Sequence, residues 1–185
     1  MGPPGAGKGT QARYVGDHFG IPAISTGDIF RANIKNETAL GKQVKDILAS
    51  GGYVTDEITN SIVQDRLFED DAERGFLLDG YPRTAAQVDA LDSILAKHDH
   101  KLEAVLELTV DEDAVVQRLL KRAETEGRDD DTEDVIRERQ AIYRKETAPL
   151  SALYEQHGVL VKVDGMGTVD EVTERVVKAV DELSA

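Results

Sequence analysis

The sequence predicts an α/β fold in which a parallel sheet is flanked by helices. Two observations support this prediction. Short apolar runs alternate along the chain with longer segments whose apolar residues recur at helical spacing, and this alternation is typical of strand–helix–strand units. A glycine-rich segment also stands directly before the first helical segment, which is where a phosphate-binding loop lies. With 185 residues and 40% hydrophobic content, the chain suits one domain with a sizeable core.

The predicted elements follow the chain in that alternation. Strands are predicted over residues 22–25, 75–80, 104–110 and 159–165. Helices are predicted over residues 8–19, 27–34, 40–50, 56–68, 85–97, 111–124, 132–148, 150–157 and 168–183, with a break or kink at Pro149. In the last helix Val169, Val172, Val176, Val180 and Leu183 are spaced three or four apart, which predicts a core stripe. Residues 124–134 are polar with one glycine, and this composition predicts an exposed loop.

Composition excludes several function classes. The 36 acidic residues outnumber the 22 basic ones and give a net charge of −14, so the averaged field repels nucleic acid and anionic membranes. The absence of cysteine excludes disulfides and a thiolate zinc site. No apolar run approaches the ~20 residues of a membrane span, and the N-terminus has no signal-peptide pattern. A cytoplasmic protein that binds neither nucleic acid nor membrane is expected.

Residues 2–10 read GPPGAGKGT and contain the G-x-x-x-x-G-K pattern of a phosphate-binding loop. The glycines let backbone N–H groups turn inward onto phosphate oxygens at a helix N-terminus. Lys8 then meets the β- and γ-phosphates as a point charge. An incidental glycine turn is the alternative, and so dense a pattern disfavours it. Gly9 follows the lysine, and the hydroxyl comes one place later, at Thr10.

This loop, together with STGDIFR at residues 25–31 and LLDGYPRTAAQ at residues 77–87, resembles the adenylate kinase family. The resemblance runs nearly end to end, through Arg118, Arg122, the RDDD run at 128–131, RER at 137–139 and VDG at 163–165. It implies a three-layer P-loop fold in one domain, residues 1–185. The core would comprise 1–25, 55–123 and 135–185, with an NMP-binding helical insert at 26–54 and a short lid, without zinc, at 124–134.

The resemblance also implies an activity and a set of site residues. The activity is that of an adenylate kinase, the reversible phosphoryl transfer from MgATP to AMP that gives two ADP and serves adenine nucleotide homeostasis, by a monomer. The ATP site would comprise Gly5, Ala6, Gly7, Lys8, Gly9, Thr10, Arg118 and Gly167. The AMP site would comprise Thr26, Arg31, Gly52, Tyr53, Val54, Gly80, Arg83, Gln87, Arg128 and Arg139. Lys8, Arg83, Arg122, Arg128 and Arg139 would be catalytic, and Thr10 and Asp79 would orient Mg²⁺ through water.

Three other readings stay open at this point. A UMP/CMP kinase shares the loop, the DGxPR run and the short lid, but the pyrimidine enzymes usually have Ala or Ser in place of Thr26 and Asn near Gln87. A GTPase-like switch would need an N-K-x-D guanine reader, which the sequence lacks. A catalytically weak nucleotide-binding protein of the same fold is the third possibility.

The third possibility gains weight from the N-terminus, where only Met1 precedes Gly2. In the family a buried strand in the middle of the sheet leads into the first glycine, so the first strand is apparently missing. Losing about five apolar side chains, at ~1.5 to 3 kcal/mol each, would rival the ~5 to 15 kcal/mol stability of a domain. We therefore expect Met1 to be an internal methionine, with some five to seven apolar residues ahead of it in the working protein.

Overall fold

The computed structural model describes residues 1–126 and 132–183 and confirms the α/β class. The strands are β1 (Ala23–Ser25), β2 (Leu77–Asp79), β3 (Val105–Thr109) and β4 (Leu160–Asp164). Each lies within a predicted strand. The pairings are parallel: Ala23 lies opposite Leu77 in one pair of strands, and Val105 lies opposite Leu160 in the other. The described strands therefore form two half-sheets, β1–β2 and β3–β4.

The predicted helices are all present. They are α1 (Lys8–Phe19), α2 (Thr26–Lys35), α3 (Ala39–Ala49), α4 (Asp56–Leu67), α5 (Ala85–Ala96), α6 (Glu112–Glu126), α7 (Glu133–Ile142), α8 (Pro149–Gln156) and α9 (Val169–Leu183), with a 3₁₀ turn at Asp70–Ala72. The helix predicted over 132–148 is interrupted, because α7 gives way to a π-helical turn at Tyr143–Thr147. The break predicted at Pro149 is confirmed, since proline begins α8 at a position where its missing N–H is not needed.

Helices cover both faces of the half-sheets. On one face α1 packs against β1, β2 and α9, and Val15, Leu108 and Val176 lie in its core cluster. On the other face, α5 and α8 contribute Val88 and Tyr154 to a second cluster around β3. No helix in the described ranges has the length and hydrophobicity to cross a membrane.

The stripe predicted on α9 is partly wrong. Val172 and Val176 are buried, but Val169 is 45% exposed and Leu183 is 48% exposed. The cause is length: the fifteen residues of α9 extend for about 22 Å, whereas the five residues of β4 extend for about 16 Å. The two ends of the helix therefore overhang the strand that its middle covers.

A gap separates β2 from β3, and we call it the central gap. Leu77 and Leu106 line it from the two strands, and Leu91 and Val176 line it from the helices on either face. It belongs to a continuous cavity of about 1010 Å³ that also reaches the phosphate loop. No strand among the described residues fills it.

Met1 marks the end of the central gap nearest the phosphate loop. Its amino group donates to the Leu106 carbonyl, and its own carbonyl accepts from the Leu108 N–H at 3.0 Å. These two bonds are those of a residue opposite Glu107 in a parallel ladder. A strand running into Met1 would therefore continue along β3 through the central gap. That such residues precede Met1 stays a prediction.

Candidate functional site

The loop before α1 has the backbone shape of a phosphate cradle. Gly5 and Gly7 have φ values of 88° and 95°, in the left-handed region that glycine adopts without steric cost. A Cβ atom on Gly5 would lie 2.9 Å from the Val115 carbonyl oxygen, so α6 packs too closely for any side chain there. The turn delivers the chain to the N-terminus of α1, where free N–H groups and the helix dipole favour a phosphate.

Lys8 points back across this loop. Its Nζ donates to the Gly2 carbonyl at 2.8 Å and to the Pro3 carbonyl at 3.0 Å. Burial lowers the pKa of Lys8 to about 8 against the raising effect of Asp79, and the charges of Arg83, Arg139 and Arg122 lower it further. The structure thus brings four of the five predicted catalytic residues into one electrostatic neighbourhood. An anion bound among them would relieve their mutual repulsion.

The lowered pKa of Lys8 predicts a pH-dependent affinity for ATP. The free protein keeps this lysine charged below pH 8 and increasingly neutral above it, whereas bound phosphate favours the charged form. At pH 9 about a tenth of the free protein is binding-competent at this site, so we expect the Kd for ATP to be about tenfold higher than at pH 7. Calorimetric titrations of the wild-type protein and of Lys8→Met check this. An equal pH dependence in both proteins would refute it.

A second group of residues meets at the end of β2. Thr26 Oγ1 donates to the Gly80 carbonyl at 3.1 Å, and Arg83 Nε donates to the same oxygen at 2.7 Å. Gly80 has a φ of 77°, and a Cβ atom there would lie 2.8 Å from Arg83 Nη2. A larger residue would therefore displace the guanidinium and would also be strained at this φ.

The backbone of Arg83 is held by Gln87. The Arg83 N–H donates to Gln87 Oε1 at 2.7 Å, and Gln87 Nε2 donates to Asp56 Oδ1 at 2.8 Å. Thr84 Oγ1 donates to the same Asp56 oxygen at 3.0 Å. Gln87 is buried and retains one amide N–H for a ligand. Sequence reasoning missed Asp56 and Thr84, although a threonine directly before a helix is a familiar capping signal.

The helical insert supplies the opposite wall of the same cavity. Arg31, Gly52, Tyr53 and Val54 all line it. Arg31 is paired with Asp28, whose side chain is 72% exposed. The N-cap of α2 is the Ser25 hydroxyl, which accepts from the Asp28 N–H.

Two arginines hold the phosphate loop and the segment that follows β4. Arg118 donates to the Ala6 carbonyl at 3.4 Å and to the Gly165 carbonyl at 3.0 Å, so it joins the phosphate loop to the end of β4. Arg175, which sequence reasoning missed, donates to Asp164 Oδ2 at 2.7 Å and to the Met166 carbonyl. These bonds hold the segment that contains Gly167.

Asp79 lies beside the first turn of α1. A Cβ atom on Gly9 would lie 3.3 Å from Asp79 Oδ2, which places the carboxylate next to the turn that carries Thr10. Within residues 1–126 and 132–183 no three His, Cys, Asp or Glu side chains form a cluster that could hold a metal. One carboxylate and one hydroxyl suit Mg²⁺, which keeps several waters and shares the phosphates of its nucleotide.

Two further predicted catalytic arginines, Arg139 and Arg122, lie on the helices α7 and α6. Arg139 is half-buried and lines the cavity, and Arg122 is also half-buried. Residues 127–131 of the predicted lid, including Arg128, lie outside the described residues. Gln140, which sequence reasoning missed, donates to the Pro4 carbonyl at 3.0 Å and so ties α7 to the phosphate loop.

None of the residues predicted for the site is a histidine. His18, His98, His100 and His157 are all exposed, and His100 lines part of the cavity. Phosphoryl transfer onto a phosphate oxygen needs no general base, because that oxygen is already anionic. A site that gathers several arginines around Lys8 fits such a reaction.

Comparisons with known proteins agree with this geometry. The family model described as adenylate kinase matches residues 1–159. A protein of Nocardioides sp. named adenylate kinase is 59% identical over 181 residues, which cover 98% of this chain and 95% of the relative. Adenylate kinases of Leifsonia xyli and Renibacterium salmoninarum are 57% and 53% identical, over 98% and 100% of this chain and 92% and 96% of theirs.

Proposed function

Because this chain belongs to the adenylate kinase family, we propose an assignment of its residues to the reaction that converts ATP and AMP reversibly into two ADP. One observation carries the assignment. Lys8 of the phosphate loop shares its electrostatic surroundings with Arg83, Arg139 and Arg122, while the cavity continues from there into the insert. The two nucleotides would meet, phosphate to phosphate, at this group of cations.

The donor nucleotide is assigned to the phosphate loop. The N–H groups of Gly5, Ala6, Gly7, Gly9 and Thr10 bind the triphosphate, and Lys8 exchanges its bonds with the Gly2 and Pro3 carbonyls for phosphate oxygens. Arg118 stacks on adenine, and the backbone near Gly167 reads the edge of the base. The bonds of Arg118 to both segments support this, since they place the guanidinium between the loop and the base-reading segment.

The acceptor nucleotide is assigned to the insert and the end of β2. Arg31 and Arg83 bind the phosphate of AMP through paired hydrogen bonds from their guanidinium groups. Thr26 and Gln87 form hydrogen bonds with its base. Gly52, Tyr53, Val54 and Gly80 line the pocket by their backbone and bulk. The contact of Arg83 with Gly80 and its backbone bond to Gln87 support the assignment, because they fix the guanidinium before AMP binds.

Catalysis is assigned to positioning and charge neutralisation. Lys8, Arg83, Arg122, Arg128 and Arg139 close on the transferred phosphoryl group and spread its charge over several donors. Thr10 and Asp79 would hold Mg²⁺ through water, and the ion, when bound, would neutralise phosphate charge as a Lewis acid. The position of Asp79 beside Gly9 supports that role. To the short lid predicted at residues 124–134 we assign the exclusion of water that would otherwise hydrolyse ATP.

An acceptor panel tests the assignment. We expect the protein, given ATP and magnesium, to form diphosphate much faster with AMP than with CMP, UMP or GMP in parallel assays. The expected reason is that Thr26 and Gln87 present hydrogen-bonding groups to adenine. Preference for CMP or UMP would move the protein to the pyrimidine enzymes, and no turnover with any acceptor would leave a nucleotide binder.

We further propose that the protein acts in the cytoplasm as a monomer. Its net charge of −14 supports the monomer, because like charges on two copies repel each other.

A further inference from the structure

A chain of three hydrogen-bonding groups links the insert to the core of the site. Tyr53, in the insert, has its hydroxyl 2.8 Å from Thr147 Oγ1. Thr147, in the π-helical turn, donates to the Arg83 carbonyl at 2.8 Å. The Arg83 guanidinium in turn lies over the Tyr53 ring, 4.9 Å from its centroid. Each of the three residues therefore contacts the other two, although Tyr53 and Thr147 are 94 positions apart in the sequence.

The direction of the protons in this circuit follows from counting donors. Thr147 has one hydroxyl hydrogen and directs it to the Arg83 carbonyl, which can only accept. Tyr53 must therefore donate to Thr147, and the threonine oxygen serves as acceptor and donor at once. Only a residue with a hydroxyl can take both parts, so serine could replace Thr147 and valine could not.

The π-helical turn is what carries Thr147 to this position. The Ala148 N–H donates to the Tyr143 carbonyl at 2.8 Å. This bond joins residues five positions apart, whereas an α-helical bond joins residues four positions apart. Such a turn inserts one residue into a helix and is often found at functional sites. Thr147 is buried, so losing its hydroxyl would leave the Arg83 carbonyl without its donor in an apolar environment.

We propose that Thr147 is a positioning residue for Arg83 and that the Tyr53 hydroxyl orients Thr147. This chain of bonds couples the insert to Arg83 in the AMP site. The inference rests on the proposed role of Arg83 in binding the phosphate of AMP. Gln87 holds the N–H of Arg83 and Thr147 holds its carbonyl, so the backbone of this arginine is fixed from both sides. Its side chain is fixed by Gly80 and by the Tyr53 ring.

The test compares Thr147→Val, Thr147→Ser, Tyr53→Phe and the double variant Thr147→Val with Tyr53→Phe. We expect Thr147→Val to weaken AMP binding and to lower kcat/KM for AMP by about tenfold to a hundredfold, while the Kd for ATP changes less than about twofold. Thr147→Ser is expected to behave as wild type. Tyr53→Phe should have a smaller effect, and the double variant should be no worse than Thr147→Val, because both changes break one chain.

Thr173→Val is the matched control. The Thr173 hydroxyl, with its single hydrogen, lies within hydrogen-bonding distance of Gln11 Oε1 and of the Val169 carbonyl on α9. Thr173 lies outside the acceptor pocket, and its replacement should leave AMP binding unchanged. Equal losses for AMP and ATP in Thr147→Val, or failure of Thr147→Ser to restore binding, would reduce Thr147 to a structural residue and overturn the proposal. Calorimetry of AMP binding decides this without turnover, so a wild type that binds AMP but does not phosphorylate it would refute the proposed function separately.

Discussion

Five apolar residues added ahead of Met1 are expected to raise the melting temperature by about 10 °C and to increase the rate of ADP formation. The added residues would extend the parallel ladder that Met1 begins with Leu106 and Leu108 and would fill the central gap. Each buried apolar side chain contributes about 1.5 to 3 kcal/mol, which exceeds the about 1 to 2 kcal/mol lost in ordering its backbone. A net gain of a few kcal/mol corresponds to a shift of that size in a domain of this length.

An extension of the same length composed of glycine and serine is the matched control. It adds backbone without apolar side chains, so it should stabilise the protein little. Thermal unfolding followed by circular dichroism and an assay with ATP and AMP give the two readouts. If the apolar and polar extensions shift the melting temperature equally, the central gap is not a strand site.

The buried amino group of Met1 supplies a second signature of the same effect. Burial lowers the pKa of this group from 8.0 to about 5. Between these values the unfolded chain binds a proton that the folded chain does not, so this group makes the free energy of unfolding rise from pH 5 to pH 8. In the extended protein the same nitrogen is an amide, and this contribution should vanish. Mass spectrometry must first establish that Met1 is retained.

Replacing Arg83 by lysine is expected to lower kcat/KM for AMP by about a hundredfold to a thousandfold, the usual loss when one preorganised donor is removed. Lysine keeps the charge but cannot bond the Gly80 carbonyl through Nε and also present a fork to a phosphate. Stacking on the Tyr53 ring is weakened as well. Steady-state kinetics with each nucleotide varied in turn check the prediction, and the KM for ATP should stay nearly unchanged.

Arg66 offers the control for this substitution. It forms a bidentate pair with Asp71, with both bonds at 2.7 Å, on the surface of the protein. Arg66→Lys therefore removes an equally well-formed fork outside the site, and exposed pairs of this kind contribute little. Comparable kinetic losses in the Arg66 and Arg83 variants would show that a general loss of stability, rather than the fork on AMP, is responsible.

The sequence predicted most of the fold because its elements depend on local patterns. Helix α1 was predicted to the residue, since a glycine turn precedes it and Gly20 ends it in the left-handed conformation. The burial of Val169 and Leu183 at the two ends of α9 was predicted wrongly, because apolar spacing indicates which face of a helix packs but not how far the strand beneath it reaches. That length is a tertiary property.

The site was predicted less completely for a related reason. Motif residues such as Lys8 and Arg83 belong to short sequence patterns that indicate a function by themselves. The residues that hold them in place belong to no such pattern. Gln140, for example, bonds to the Pro4 carbonyl from 136 positions away. Thr147 depends on a π-helical turn that helical spacing cannot reveal, so the polar contacts that orient the motif residues became visible only in three dimensions.

The central gap also exposes the protein to association with other chains. The facing edges of β2 and β3 expose backbone groups beside an apolar lining, and an unpaired strand edge is a template for whatever extended chain reaches it first. A short apolar peptide supplied in solution would pair with these edges. At high protein concentration the same edges would recruit neighbouring chains, so we expect aggregation to rise with protein concentration and the peptide to suppress it.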